Sequence, residues 1–206
     1  MRDLLPHSLT DYLHQSPETR PDQRYFQFQR RMKMNKPLIT PIQQQFRDSM
    51  ASMSAAVNII TTNGSAGKCG LTATAVCSIT DSPPTIMIAV NRNSKTNETL
   101  KENGVVCVNI LAKEHEETAK DFAGFTALDI EERFRRHAWC EGEYQLPVLE
   151  EALSNLQGQI IKTIEMGTHT LFFIEISSIR NRMGGAALAY FSRAFHAIGE
   201  EHTAEL

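Results

Sequence analysis

The chain has 206 residues, 41% of them apolar and 22% charged, the composition of a globular protein able to bury a core of its own. A net charge of −3 offers no basic field for nucleic acid or an anionic membrane, and no apolar run reaches the ~20 residues of a membrane-spanning helix. The N-terminus lacks the apolar stretch of a secretory signal, so a cytoplasmic location is expected.

Residues 1–40 stand apart. They carry four of the eight prolines, with a fifth at Pro41, none of the eleven glycines and a net charge of +3, leaving −6 for the remainder. Apart from a short helical pattern over Ser8–Gln15, this stretch reads as a poorly ordered N-terminal arm, and Met34 offers an alternative start. Residues 41–198 form the folded domain and 199–206 a flexible tail. Ile42, Phe46, Met50 and Met53 recur at helical spacing and predict an amphipathic helix through Met53. Short β-rich runs follow at Val57–Thr62, Leu71–Thr80, Thr85–Val90 and Val105–Leu111. Turn signals separate them: Asn63-Gly64, Asp81-Ser82-Pro83-Pro84 and Asn103-Gly104. A helix is predicted from near Asn97, another over Glu114–Phe122, and a turn or two over Asp129–Phe134. Strands return at Leu156–Met166, Thr170–Ile179 and Leu188–Phe191. Their spacing leaves no room for repeated βαβ crossovers, so the expected fold is mainly β: an antiparallel Greek-key split β-barrel with a few peripheral helices.

Several motifs fail on spacing. Gly64–Cys69 has two residues between its glycines where a phosphate loop needs four, and cysteine where it needs Ser or Thr. His115-Glu116-Glu117 lacks the second histidine of a zinc-protease helix. Cys69, Cys77, Cys107 and Cys140 form no Cys-x-x-Cys pair, so all four read as structural and no metal is expected. Two stretches remain. Gly70–Ser78 alternates Thr hydroxyls with small side chains and would leave backbone amides open to a flat ligand; read alone, it is also an ordinary Thr-rich strand. Asn91–Asn97 precedes a helix, and Ser94, Lys95 and Thr96 at a helix start could hold a phosphate or simply cap a turn.

Taken together, Gly70–Ser78, Asp81–Pro84, Asn91–Asn97, Val106–Asn109, Phe122-Ala123-Gly124, Glu131–Phe134, Gly167-Thr168-His169 and Tyr190-Phe191 resemble, in this order, the flavin reductase family with the split-barrel flavin-binding fold. The resemblance runs from about Phe46 to His196. It implies a cytoplasmic homodimer that uses NADH to reduce FAD or FMN and releases the reduced flavin to a separate flavin-dependent monooxygenase component acting on an aromatic substrate. By the same resemblance Thr72, Ala73 and Thr74 would line the flavin ring with Cys77 and Ser78 alongside. Asn91 would face the ribityl chain, while Ser94, Lys95 and Thr96 would hold the phosphate. Phe122, Ala123 and Gly124 would form a loop over the ligands, Tyr190 would close the site, and His169 would orient the nicotinamide as the one catalytic candidate. Two other functions stay open at this point: a flavin-binding electron carrier, and a ferric-chelate reductase on the same fold. A preference for NADH over NADPH rests on the resemblance alone, because no ribose-reading acidic residue can be located.

Overall fold

The computed structural model describes residues 39–199. Residues 1–38 of the predicted arm, with the Ser8–Gln15 helix, and all of the tail beyond Gly199 lie outside the described residues. The chain divides into two units, Met1–Asp48 and Ser49–Leu206.

Helix α1 (Pro41–Ala51) crosses that division. Its start is written in the sequence: Thr40 and Gln43 exchange backbone and side-chain bonds at 2.9 and 3.3 Å, and Pro41 occupies the first helical position. The helix ends at Ala51, short of Met53. None of its residues is buried, so the predicted apolar stripe of Ile42, Phe46 and Met50 is exposed.

The second unit is dominated by antiparallel strands: β1 (Ala55–Ala56), β2 (Asn58–Thr62), β3 (Cys69–Ala73), β4 (Val76–Asp81), β5 (Pro84–Asn91), β6 (Val105–Ile110), β7 (Trp139–Glu141), β8 (Pro147–Leu149), β9 (Ser154–Met166), β10 (His169–Asn181), β11 (Ala187–Phe191) and β12 (Ala194–Ile198). Among the described residues the α-helices are α1, α2 (Lys95–Asn103), α3 (Glu116–Phe122) and α4 (Ile130–Arg135). Seven strands make the main sheet in the order β3-β2-β6-β9-β10-β5-β4. Its two edge strands are consecutive in the chain and only Thr74 and Ala75 separate them, so the sheet curls until its edges meet. This is the expected split barrel. One correction concerns Leu71–Thr80, which is two strands: β3 pairs with β2 and β4 with β5, and the chain changes partner at Thr74–Ala75. A second sheet, β1-β11-β12, and the β7–β8 hairpin complete the fold.

Alternation sends side chains to two cores. Ile60, Ile88, Val106, Val108, Phe172 and Ile174 fill the barrel, and Leu100 from α2 joins them, fully buried. Val57, Ile59, Leu111, Phe122, Phe134 and Leu188 form the other core, against α3, α4 and the small sheet. Every residue of β2 is therefore buried, whichever face it points to. Burying a Leu, Ile or Phe side chain contributes about 1.5–3 kcal/mol, so these cores hold the fold together. One glycine is required by contact: a Cβ on Gly158 would lie 2.0 Å from the carbonyl oxygen of Glu175, where β9 pairs with β10. A second, Gly104, ends α2 in the left-handed region at φ 69° and returns its N–H to Leu100. Among the described residues no helix is long and apolar enough to cross a membrane.

Candidate functional site

The β5–β10 ladder brings together the two segments singled out in the sequence. His169 opens β10 directly opposite Asn91, the last residue of β5. Asn91 then turns the chain: its Oδ1 accepts from Asn93 N at 2.9 Å and its carbonyl from Ser94 N at 3.1 Å. Ser94 has extended dihedrals and caps α2, its Oγ accepting from Asn97 N at 3.2 Å while the hydroxyl hydrogen stays free to donate. The amides of Lys95 and Thr96 have no acceptor within the helix, and the helix dipole places partial positive charge there. Lys95 is exposed beside them. Thr96 differs: its side chain is buried with its Oγ1 3.0 Å from the Cys69 thiol, so only its backbone N–H is presented.

This turn is held by residues that sequence reasoning did not single out. Asn97 is 1% exposed and donates Nδ2 to the Val90 carbonyl at 3.0 Å, tying α2 to β5. Glu165 on β9 collects three donors, Arg92 Nε at 2.7 Å, Lys101 Nζ at 2.6 Å and Thr170 Oγ1 at 3.0 Å. The Lys101 bond, joined by Thr170 and the Arg92 charge, holds this carboxyl below its ordinary value against desolvation. Arg92 N also donates to Thr168 O at 2.9 Å. The β5–α2 turn, α2 and the start of β10 are thus pinned to one carboxylate. The signal available in the sequence was Asn97 itself, a polar residue three positions after the cap where α2 packs on the barrel.

His169 is half-buried, with Nδ1 2.9 Å from Thr168 Oγ1. Thr72 donates its hydroxyl to Ala119 O on α3 at 2.7 Å, so it fastens β3 to that helix. Ala73 ends β3, Thr74 lies exposed at the partner change, and Cys77 and Ser78 are exposed on the edge strand β4. An edge strand leaves alternate N–H and C=O groups unpaired, the kind of backbone a flat heterocycle can bond. Phe122 is a core residue, its ring 5.1 Å from Phe134 and 5.5 Å from Trp139. Ala123 and Gly124 are exposed, and Gly124, at φ 79°, turns the chain out of α3. Tyr190 belongs to the other sheet, opposite Ala55 and edge-on to Phe195 at 5.2 Å.

α3 is fixed from its far side by Asp121, whose side chain is fully buried. His137 Nε2 lies 2.8 Å from it and Arg136 Nη1 3.2 Å, and Thr118 Oγ1 sits 3.1 Å from His137 Nδ1. Burial pushes this carboxyl up, but the bond from His137 and the neighbouring Arg136 charge hold it below its ordinary value.

The family model described as Flavin reductase like domain matches residues 50–199. The reductase component of 4-hydroxyphenylacetate 3-monooxygenase from Pseudomonas aeruginosa is 55% identical over 158 residues, 77% of this chain and 93% of that protein. An FMN reductase (NADH) from Enterobacter cloacae is 44% identical over 161 residues, 78% of this chain and 97% of that protein. Among solved structures, the flavin reductase PheA2 in its native state superposes with a TM-score of 0.69 at 25% identity, covering 76% of this chain and 98% of that one.

Proposed function

This chain belongs to the flavin reductase-like domain family, and on that footing we propose that it oxidises NADH, reduces FAD or FMN, and supplies the reduced flavin to a separate monooxygenase component. The oxygenase is one acting on 4-hydroxyphenylacetate or a similar aromatic, a reading supported by the name of the 55% identical relative. The observation that carries the site is the end of the β5–β10 ladder. There a histidine faces Asn91, and a capped helix with free amides and an exposed lysine begins three residues later.

These residues fit a flavin phosphate: two helix amides and the Ser94 hydroxyl lie at one helix start, and exposed Lys95 is its first residue. When bound, the flavin supplies the redox chemistry, accepting a hydride from the nicotinamide. The chain's own task is placement. Thr72, Ala73 and Thr74, with Cys77 and Ser78, offer unpaired edge backbone to the ring, and donors aimed at its carbonyl side would steady negative charge as it develops. Asn91 faces the ribityl chain. His169 would bond the nicotinamide carboxamide and orient that ring toward the flavin. Ala123 and Gly124, carried on a helix end anchored by Phe122, cover the ligands, and Tyr190 closes the site from the second sheet. The protein works as a cytoplasmic homodimer.

The test is NADH oxidation by the purified chain with and without added FAD, FMN and riboflavin. Turnover that saturates with free flavin is expected. Flavin retained through purification with no turnover would replace this reading with an electron carrier, and faster turnover on a ferric chelate than on any flavin would make it a chelate reductase.

A further inference from the structure

Glu165 on β9 lies outside the β5–β10 ladder, yet the elements that carry Ser94 and His169 are both bonded to it. We propose that Glu165 is a positioning residue for the reductase reaction. Through Arg92 it sets His169 against the nicotinamide, and through Lys101 it steadies α2, whose start holds the phosphate; this rests on the function proposed above.

His169 pairs with Met166 at the end of the β9–β10 hairpin, so Gly167 and Thr168 alone form its turn. Gly167, at φ 56°, supplies the positive dihedral such a turn needs, and both residues are exposed. Three bonds from Arg92 hold this tip from outside. Its N–H donates to the Thr168 carbonyl at 2.9 Å, Nη1 to the Gly167 carbonyl at 3.4 Å and Nε to the Glu165 carboxylate at 2.7 Å. Thr168 Oγ1 in turn lies 2.9 Å from His169 Nδ1, so the ring follows the turn. The forked guanidinium serves the carboxylate and the turn carbonyl together, which a lysine ammonium at that position could not do. On the other side, Glu165 faces its cross-strand partner Thr170, whose Oγ1 is 3.0 Å from the carboxylate and 3.4 Å from Asn97 Oδ1 on α2. Lys101 reaches the same carboxylate from further along that helix.

Exposure separates this role from a structural one. The side chains of Arg92, Lys101 and Glu165 are 51%, 42% and 42% exposed, and ion pairs so open to water contribute little to stability. What the network fixes is geometry: the placing of a hairpin tip and a helix relative to each other.

The test compares the full-length wild type with Glu165→Gln, Arg92→Lys and Lys101→Met by steady-state NADH oxidation, flavin fluorescence titration and thermal unfolding. Glu165→Gln is expected to raise the KM for NADH and the Kd for flavin, each roughly tenfold, about 1.4 kcal/mol. Tm and kcat should change little, since contacts made equally in the ground and transition states appear in KM. The two arms separate the effects: Arg92→Lys should raise the KM for NADH only, and Lys101→Met the Kd for flavin only. In a His169→Ala background, Glu165→Gln should leave the KM for NADH where it is, because the ring it positions is gone. A further rise in that background would overturn the positioning role. A lower Tm with KM and Kd unchanged would overturn it too, as the mark of a purely structural carboxylate, and so would equal shifts of both constants in all three variants. Active wild type matched by every variant would overturn this inference and leave the reductase function standing. Wild type without flavin-dependent NADH oxidation would overturn the function itself.

Discussion

Asn109 on β6 is fully buried and its amide is satisfied on both ends. Nδ2 donates to Ile59 O on β2 at 2.9 Å, and Oδ1 accepts from Leu149 N on β8 at 2.9 Å and from Asn155 Nδ2 on β9 at 2.8 Å. One side chain therefore joins four strands. Asn109→Leu keeps the volume and removes every one of these bonds. Asn155 retains the Leu149 carbonyl at 3.1 Å and Thr61 the Pro147 carbonyl at 2.6 Å, which leaves the Leu149 N–H and the Ile59 carbonyl as the backbone groups that lose this partner. Each buried orphan costs about 1–3 kcal/mol, so the variant should lose about 4 kcal/mol. For a chain of this length that lowers Tm by about 8–16 °C. Thermal unfolding followed by circular dichroism, with urea midpoints as a second measure, reads the change directly. Asn109→Asp separates the two ends, since its carboxylate can still accept from Leu149 but cannot donate to Ile59. A Tm drop of less than about 3 °C for the Leu variant would show that the amide is not the junction described here.

Other consequences are open to direct measurement. His169→Ala should raise the KM for NADH more than it weakens flavin binding, measured by steady-state kinetics beside flavin fluorescence titration; equal losses would remove His169 from the nicotinamide. Asp121 has its carboxyl held below the ordinary value, so its ionised form stabilises the fold above about pH 4 and that contribution fades as the pH falls further. The gap in urea midpoint between wild type and Asp121→Asn should accordingly shrink below that pH, and a constant gap would contradict the network. Burial pushes the Cys107 thiol up to about 12. An aromatic disulfide reagent should label exposed Cys77 in the native protein and reach Cys107 only on unfolding, with peptide mapping to tell them apart.

The sequence announced those parts of the fold whose cause is local. β5 and β6 are apolar, β-branched runs between turn residues, and α2 is bracketed by Ser94 and Gly104. Leu71–Thr80 looked like one strand because its residues favour extended backbone throughout; the break at Thr74–Ala75 comes from a change of partner, which no local pattern records. β7 and β8 have three residues each, too few to show a period, and exist because Thr61 and Asn109 hold that hairpin from neighbouring strands. In the site, the cap and the Asn91–His169 region were legible through motifs. Glu165 was not, because Arg92, Lys101 and Thr170 converge on it only after β5, α2, β9 and β10 have assembled. The reverse holds for Phe122 and Thr96, whose side chains the fold turns into the core and toward Cys69.

The two-residue link between β3 and β4 also bears on how the barrel forms. A sheet of seven strands would ordinarily close by bringing distant edges together, at an entropic cost that grows with the length of chain between them. Here the edges are covalent neighbours, so the search for closure is over once the β2–β3 and β4–β5 hairpins have formed. The costly encounter is moved elsewhere, to the docking of the long β9–β10 hairpin between β6 and β5, and the rate of folding should follow that step.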